Sequence, residues 1–134
     1  MTDTVTSQTI QDGERVAILK FTNESDGTGE ASVKKVDVSE LTKDSRGRSC
    51  SSVSISRIYW ACRGMGVDIE FDATANVLAI PLPADSTGDE YYDLFSGIPN
   101  NAGSGVTGDI DFTTVGHTDG DAYSIILVLT KNYS

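Results

Sequence analysis

The chain is predicted to fold as an all-β protein, an antiparallel β-sandwich or barrel-like domain with an extended N-terminal arm. Three observations carry this expectation. Thirteen glycines, many Ser, Thr and Asp residues and few helix-favouring runs point to strands joined by frequent turns. "VDIEFD" and "DIDFTT" alternate apolar with polar residues at the period of two that a half-buried strand requires. Strand-length segments recur at even spacing, about seven or eight in all, as in sandwiches and barrels. At 134 residues the chain suits one domain with a real core and is short for two.

Residues 1–14 are polar and aperiodic and read as an arm, leaving 15–134 as the single β-sandwich domain. "RVAILKF" (Arg15 to Phe21) is a short apolar run and the expected first strand. "NESDGTGEA" (Asn23 to Ala31) has the glycines and acids of a loop. In "SVKKVDVSEL", Val33, Val36, Val38 and Leu41 fit a strand with one slip of parity. "LTKDSRGRS" (Leu41 to Ser49) reads as a basic, flexible connection. In "SVSISRIYW", Val53 and Ile55 share one parity while Ile58 and Trp60 take the other, which one extra bulge residue would produce. In "VDIEFD", Val67, Ile69 and Phe71 face one way and Asp68, Glu70 and Asp72 the other. "ATAN" is a turn, "VLAIPLP" a strand ending in prolines, and "ADSTGDE" a loop. "YYDLFSGIP" reads as a short helical turn or irregular apron. "DIDFTTVG" alternates again, with Ile110 and Phe112 opposite Asp109 and Asp111. "HTDGD" has turn chemistry, and "AYSIILVLTKNY" is the final strand.

Charge narrows the partners. Lys and Arg total 10 against 20 Asp and Glu, a formal net charge of −10. Such a surface repels phosphate backbones, so no nucleic-acid partner is expected, and the basic residues of "KDSRGR" and "SRIYWACRG" read as a solvated patch. No stretch approaches the roughly 18 apolar residues of a membrane span, so no membrane partner is expected. The first residues lack a basic-then-apolar pattern, so no secretion signal is expected.

Motifs that could carry chemistry weigh against it in context. Gly103, Gly105 and Gly108 have G-x-G-x-x-G spacing, but a Pro-Asn-Asn turn precedes them and an alternating strand follows. With no helix to present N–H groups to a phosphate, they read as loop glycines. His117 sits at a turn entry without a nucleophile-elbow context and reads as a hydrogen-bonded loop residue. Asp109/Asp111 and Asp68/Glu70 are two apart, the spacing of a solvated strand face; as an enzyme's carboxylates they would need an opposing partner. "SDGTGE", "DSTGDE" and "HTDGD" are oxygen-rich, but none fits the twelve-residue calcium loop, and Asp-Gly is ordinary turn chemistry. No catalytic residue, cofactor or metal is therefore expected. Tyr59 with Trp60, and Tyr91 with Tyr92, could stack on a sugar; core or subunit-contact roles are commoner for aromatics in a small domain.

Cys50 and Cys62 are too few for a disulfide framework or tetrahedral metal site. If "CSSVSISRIYWAC" is one strand, its ends lie on the order of 40 Å apart, far beyond the roughly 7 Å between Cα atoms that a disulfide tolerates. Two readings stay open: a pair of free, half-buried thiols, or a disulfide to a neighbouring subunit.

The motifs "GMGV", "FDAT", "GIPNNAGSG", "TGDIDFTTVGHT" and "YSIIL", in that order between about Val33 and Tyr133, resemble a group of small virion structural proteins of tailed bacteriophages and prophages. The resemblance implies a non-enzymatic β-domain that decorates or cements a capsid in many copies, with the major capsid protein or other virion proteins as partners. A neck, collar or tail accessory protein is the alternative, and a carbohydrate-binding module a more distant one. An acidic protein suits the outer capsid surface, since packaged DNA would repel it, and assembly would take place in the host cytoplasm. In that setting a homo-oligomer is expected, with Tyr59, Trp60, Met65 and Tyr133 as candidate subunit contacts. The arm could lie across a neighbour, and strand edges at "VLAIPLP" or "SIILVLTKNY" could pair with one. Cys50 and Cys62 would form intermolecular disulfides once outside the reducing cytoplasm.

Overall fold

The computed structural model describes residues 4–13, 15–27, 29–73, 76–91 and 108–133. Among them are nine strands: β1 (Thr4–Asp12), β2 (Val16–Glu24), β3 (Val33–Val36), β4 (Cys50–Arg63), β5 (Gly66–Phe71), β6 (Val77–Leu82), β7 (Thr87–Tyr91), β8 (Ile110–Val115) and β9 (Ala122–Tyr133). They form two antiparallel sheets packed as a sandwich, in the orders β1-β2-β9-β4-β7 and β3-β8-β5-β6. The expected fold class is the observed one.

Alternation builds the core. In β2 every second residue from Ala17 to Asn23 is buried, and in β5 Val67, Ile69 and Phe71 are buried as their spacing requires. From β8, Ile110 and Phe112 meet them, and Ile125, Leu127 and Leu129 of β9 line the facing sheet. Phe112 holds the two layers together edge-on, 5.4 Å from Phe21 and 5.8 Å from Tyr123 between ring centroids. Each such side chain contributes on the order of 2 kcal/mol by leaving water.

The parity switch in β4 is a bulge. Its register against β9 shifts between Ile55 and Arg57, which returns Ile58 to the core beside Ile55. The slip in "SVKKVDV" likewise appears as a register shift between Lys34 and Val36, after which the chain turns into a short 3-10 helix, Val38–Glu40, capped by the Asp37 carboxylate.

Several expectations are corrected. Residues 4–12, expected as part of an arm, pair with β2 from Thr4↔Glu24 to Asp12↔Ala17 as the edge of the larger sheet. "SIILVLTKNY" offers no edge: β9 lies between β2 and β4. "VLAIPLP", in contrast, forms β6 up to Leu82 and lies at an edge among the described residues. "ADSTGDE" was expected as a loop, but its second half begins β7, which pairs with β4 from Arg57↔Tyr91 to Ala61↔Thr87. The connection after Leu41 is organised rather than flexible. Asp44 accepts from the N–H groups of Arg46 (3.0 Å) and Arg48 (2.8 Å) and from Arg48 Nε (2.6 Å). "YYDLFSGIP" after Tyr91, together with Tyr92, Gly103 and Gly105, lies outside the described residues.

Candidate functional site

The residues singled out by sequence separate into those the core absorbs and those that reach a surface. Met65 is fully buried, which corrects its reading as a subunit contact: it fills the core where the chain enters β5. Cys50 and Cys62 lie at the two ends of β4, as the single-strand reading required, and both are free and buried. Burial pushes both thiols up, Cys62 to about 11, so the nucleophilic thiolate is disfavoured. A bond to a neighbouring subunit would need each thiol to leave its own core. Tyr133 is the last residue of β9, its backbone opposite Cys50.

Tyr59 and Trp60 are neighbours on an unbulged part of β4, so their side chains leave opposite faces. Trp60 packs against the core, its ring over Gly88 of β7, where an added Cβ would meet the ring at 2.3 Å. Its indole Nε1 donates to Ser86 Oγ at 3.0 Å. Tyr59 lies on the outer face, with the Arg57 guanidinium 4.5 Å from its ring centroid. The two rings therefore make no shared sugar-stacking platform.

Asp109 and Asp111, expected on a solvated face, are only 4% exposed each. Asp109 accepts from the Val38 N–H at 2.9 Å and pairs with Lys34 Nζ at 2.8 Å, so it ties β8 to β3 and the 3-10 turn. Asp111 Oδ2 accepts from Asn76 Nδ2 at 2.9 Å, while Oδ1 is buried without a hydrogen-bond partner among the described residues. Burial pushes the Asp111 carboxyl up to about 6; the nearby Asp72 adds to this and Asn76 opposes it. Next to it in the register stand Lys34 of β3 and Glu70 of β5. Glu70 Oε1 accepts from Thr113 Oγ1 and Ser32 Oγ, both at 3.1 Å. The outer face of the smaller sheet is thus acidic and cross-strand bonded. Among the described residues no group of three or more His, Cys, Asp or Glu side chains is arranged to hold a metal ion. His117 takes the loop role expected, with Nδ1 3.1 Å from Thr114 Oγ1. Gly108 packs against the start of β4: it has φ +88°, and a Cβ there would lie 2.1 Å from the Ser51 carbonyl oxygen.

Two buried polar nodes escaped sequence reasoning. Glu30 pairs with Lys35 and accepts from the Tyr123 hydroxyl at 2.6 Å, while its N–H donates to Thr114 Oγ1 at 2.7 Å and its carbonyl accepts from the Thr114 N–H at 2.9 Å. Lys131 Nζ, with its side chain fully buried, donates to Asp12 Oδ1 (2.8 Å), Gly13 O (2.8 Å) and Thr42 O (2.6 Å). Glu30 and Tyr123 are 93 residues apart and Lys131 and Asp12 are 119 apart, so no local pattern could reveal either node.

The described residues line several surface grooves, two of which differ in character. One of about 410 Å³ is mainly apolar and lies between Gly66, Pro81, Leu82 and Val115. The other, of about 140 Å³, opens beside β1 and is lined by Ser7, Thr9, Asp12, Lys35, Asp37 and Glu40. Among the described residues no helix is long and apolar enough to cross a membrane. No family model matches the chain, and no curated protein matches it either.

Proposed function

We propose that the chain is a structural protein of a tailed-phage virion, seated as a decoration protein on the outer surface of the capsid shell. The observation that carries this reading is where the resembling motifs fall. "FDAT" begins at Phe71, the last residue of β5, "TGDIDFTTVGHT" contains β8, and "YSIIL" lies inside β9. They belong to the frame of the sandwich. The candidate catalytic carboxylate Asp109 and the aromatic Trp60 are likewise engaged in holding strands together. The net charge of −10 supports an outward position, away from packaged DNA.

The test is binding to DNA-free shells of the particle with which the chain is made. The purified chain is expected to co-sediment with them and to saturate. Its staying in the supernatant at every concentration would overturn the capsid seat.

A further inference from the structure

The outermost strand of a sheet presents unpaired N–H and C=O groups and is open to pairing with another chain unless something discourages it. Among the described residues four strands lie at sheet edges: β1 and β7 in the larger sheet, β3 and β6 in the smaller. Three of them are guarded. β7 carries Asp89 and Glu90 within five residues, and β3 carries the half-exposed Lys34, while Lys35 is buried against Glu30. In β6, Pro81 supplies no N–H.

β1 carries neither charge nor proline up to Gln11, and its one irregularity, a register shift between Thr9 and Gln11, lies near its end. It is nine residues long, and from Thr4 to Gln11 it contains no glycine either. It is also uncovered. Every side chain from Val5 to Gln11 is exposed, with Val5 at 43% and Ile10 at 50%. Among the described residues its sheet has five strands and the other four. Backbone bonds to β2 and the Asp12–Lys131 contact hold the strand, with scarcely any side-chain burial of its own.

We propose that β1 pairs antiparallel with β1 of a second copy, joining two five-stranded sheets into one of ten strands across a two-fold axis. Charge selects the partner. Copies that each carry −10 repel one another unless the touching surfaces are free of acid, and β1 is neutral along Thr4 to Gln11. With Ser7 at the centre, Thr6 stands across from Gln8 and Val5 across from Thr9, so no like charges meet. The contact is isologous and closes on itself, giving a dimer and not a fibre. It does not rest on the capsid reading, because the purified chain alone should show it.

Sedimentation equilibrium on the full chain at about 100 μM, enough to populate even a weak dimer, is the test. Dimers are expected. Ser7→Lys and Ser7→Glu each set like charges face to face at the centre and are expected to weaken association at least about tenfold. Mixing the two variants is expected to restore it, which damage to the fold could not do. The proposal is overturned by a wild type that stays monomeric, by a dimer indifferent to both substitutions, or by a mixture that associates no better than either variant.

Discussion

Burial pushes the Asp111 carboxyl up to about 6, with Asp72 adding to it, and the consequence is a pH-dependent cost to the fold. The folded state takes up this proton at higher pH than the unfolded chain does. Stability is therefore lost as pH rises from about 4 to about 6, and the cost is fully present above that. Asp12 works in the opposite sense. Burial pushes it up, but the hydrogen bonds from Lys131 and Thr42 outweigh burial and hold it below the usual carboxylate range. Its contribution is present at neutral pH and lost as pH falls through its lowered folded value. Asp111→Asn is expected to stabilise the protein at pH 7.5 by on the order of 2 kcal/mol, and by less than half of that near pH 4.5. Urea unfolding at the two pH values checks this; an equal effect at both would contradict it. The sequence placed Asp111 opposite Ile110 and Phe112, as the structure does. Alternation assigns a residue to a face, however, and is silent on whether that face is covered. The burial of both aspartates was not legible for that reason.

Among the elements, Lys131 is the fastening of β1. Its ammonium gathers Asp12 at the end of β1, the Gly13 carbonyl and the Thr42 carbonyl onto β9. Lys131→Met keeps the length of the side chain and removes every one of these bonds. It is expected to cost roughly 2–4 kcal/mol, because two carbonyls lose this donor and the Asp12 carboxylate loses its ammonium, keeping the bond from the Thr42 N–H. The loss should be local, with amide exchange in β1 rising sharply while the paired interiors of β4 and β9 stay protected. Uniform loss of protection across both sheets would show that β1 is not separately fastened. "TVTSQTIQ" has no apolar period and so looks like an arm in the sequence; main-chain pairing with β2 is what makes it a strand. β7 was hidden in the same way by the turn-like composition of "TGDEY". Where a strand buries one face, as in β5, or shifts parity at a bulge, as in β4, its pattern was readable directly.

At the scale of the whole molecule, two sheets of unequal size and a large negative charge set what the protein can meet. The strand orders depend on pairings between distant segments, such as β2 with β9, that leave no local trace in the sequence. The sandwich could be expected from turn spacing, but which strands become edges could not. That distinction matters for assembly, since it moves the open edge from β9 to β1 and buries Met65 and both cysteines. The capsid reading is tested most directly by the copy number of the chain in purified particles, measured by quantitative mass spectrometry against the major capsid protein. A decoration protein is expected in a fixed, stoichiometric ratio to the major capsid protein, on the order of hundreds of copies per particle. A single ring's worth, about a dozen, would place it at the neck or tail instead, and absence from the particle would contradict the virion assignment altogether.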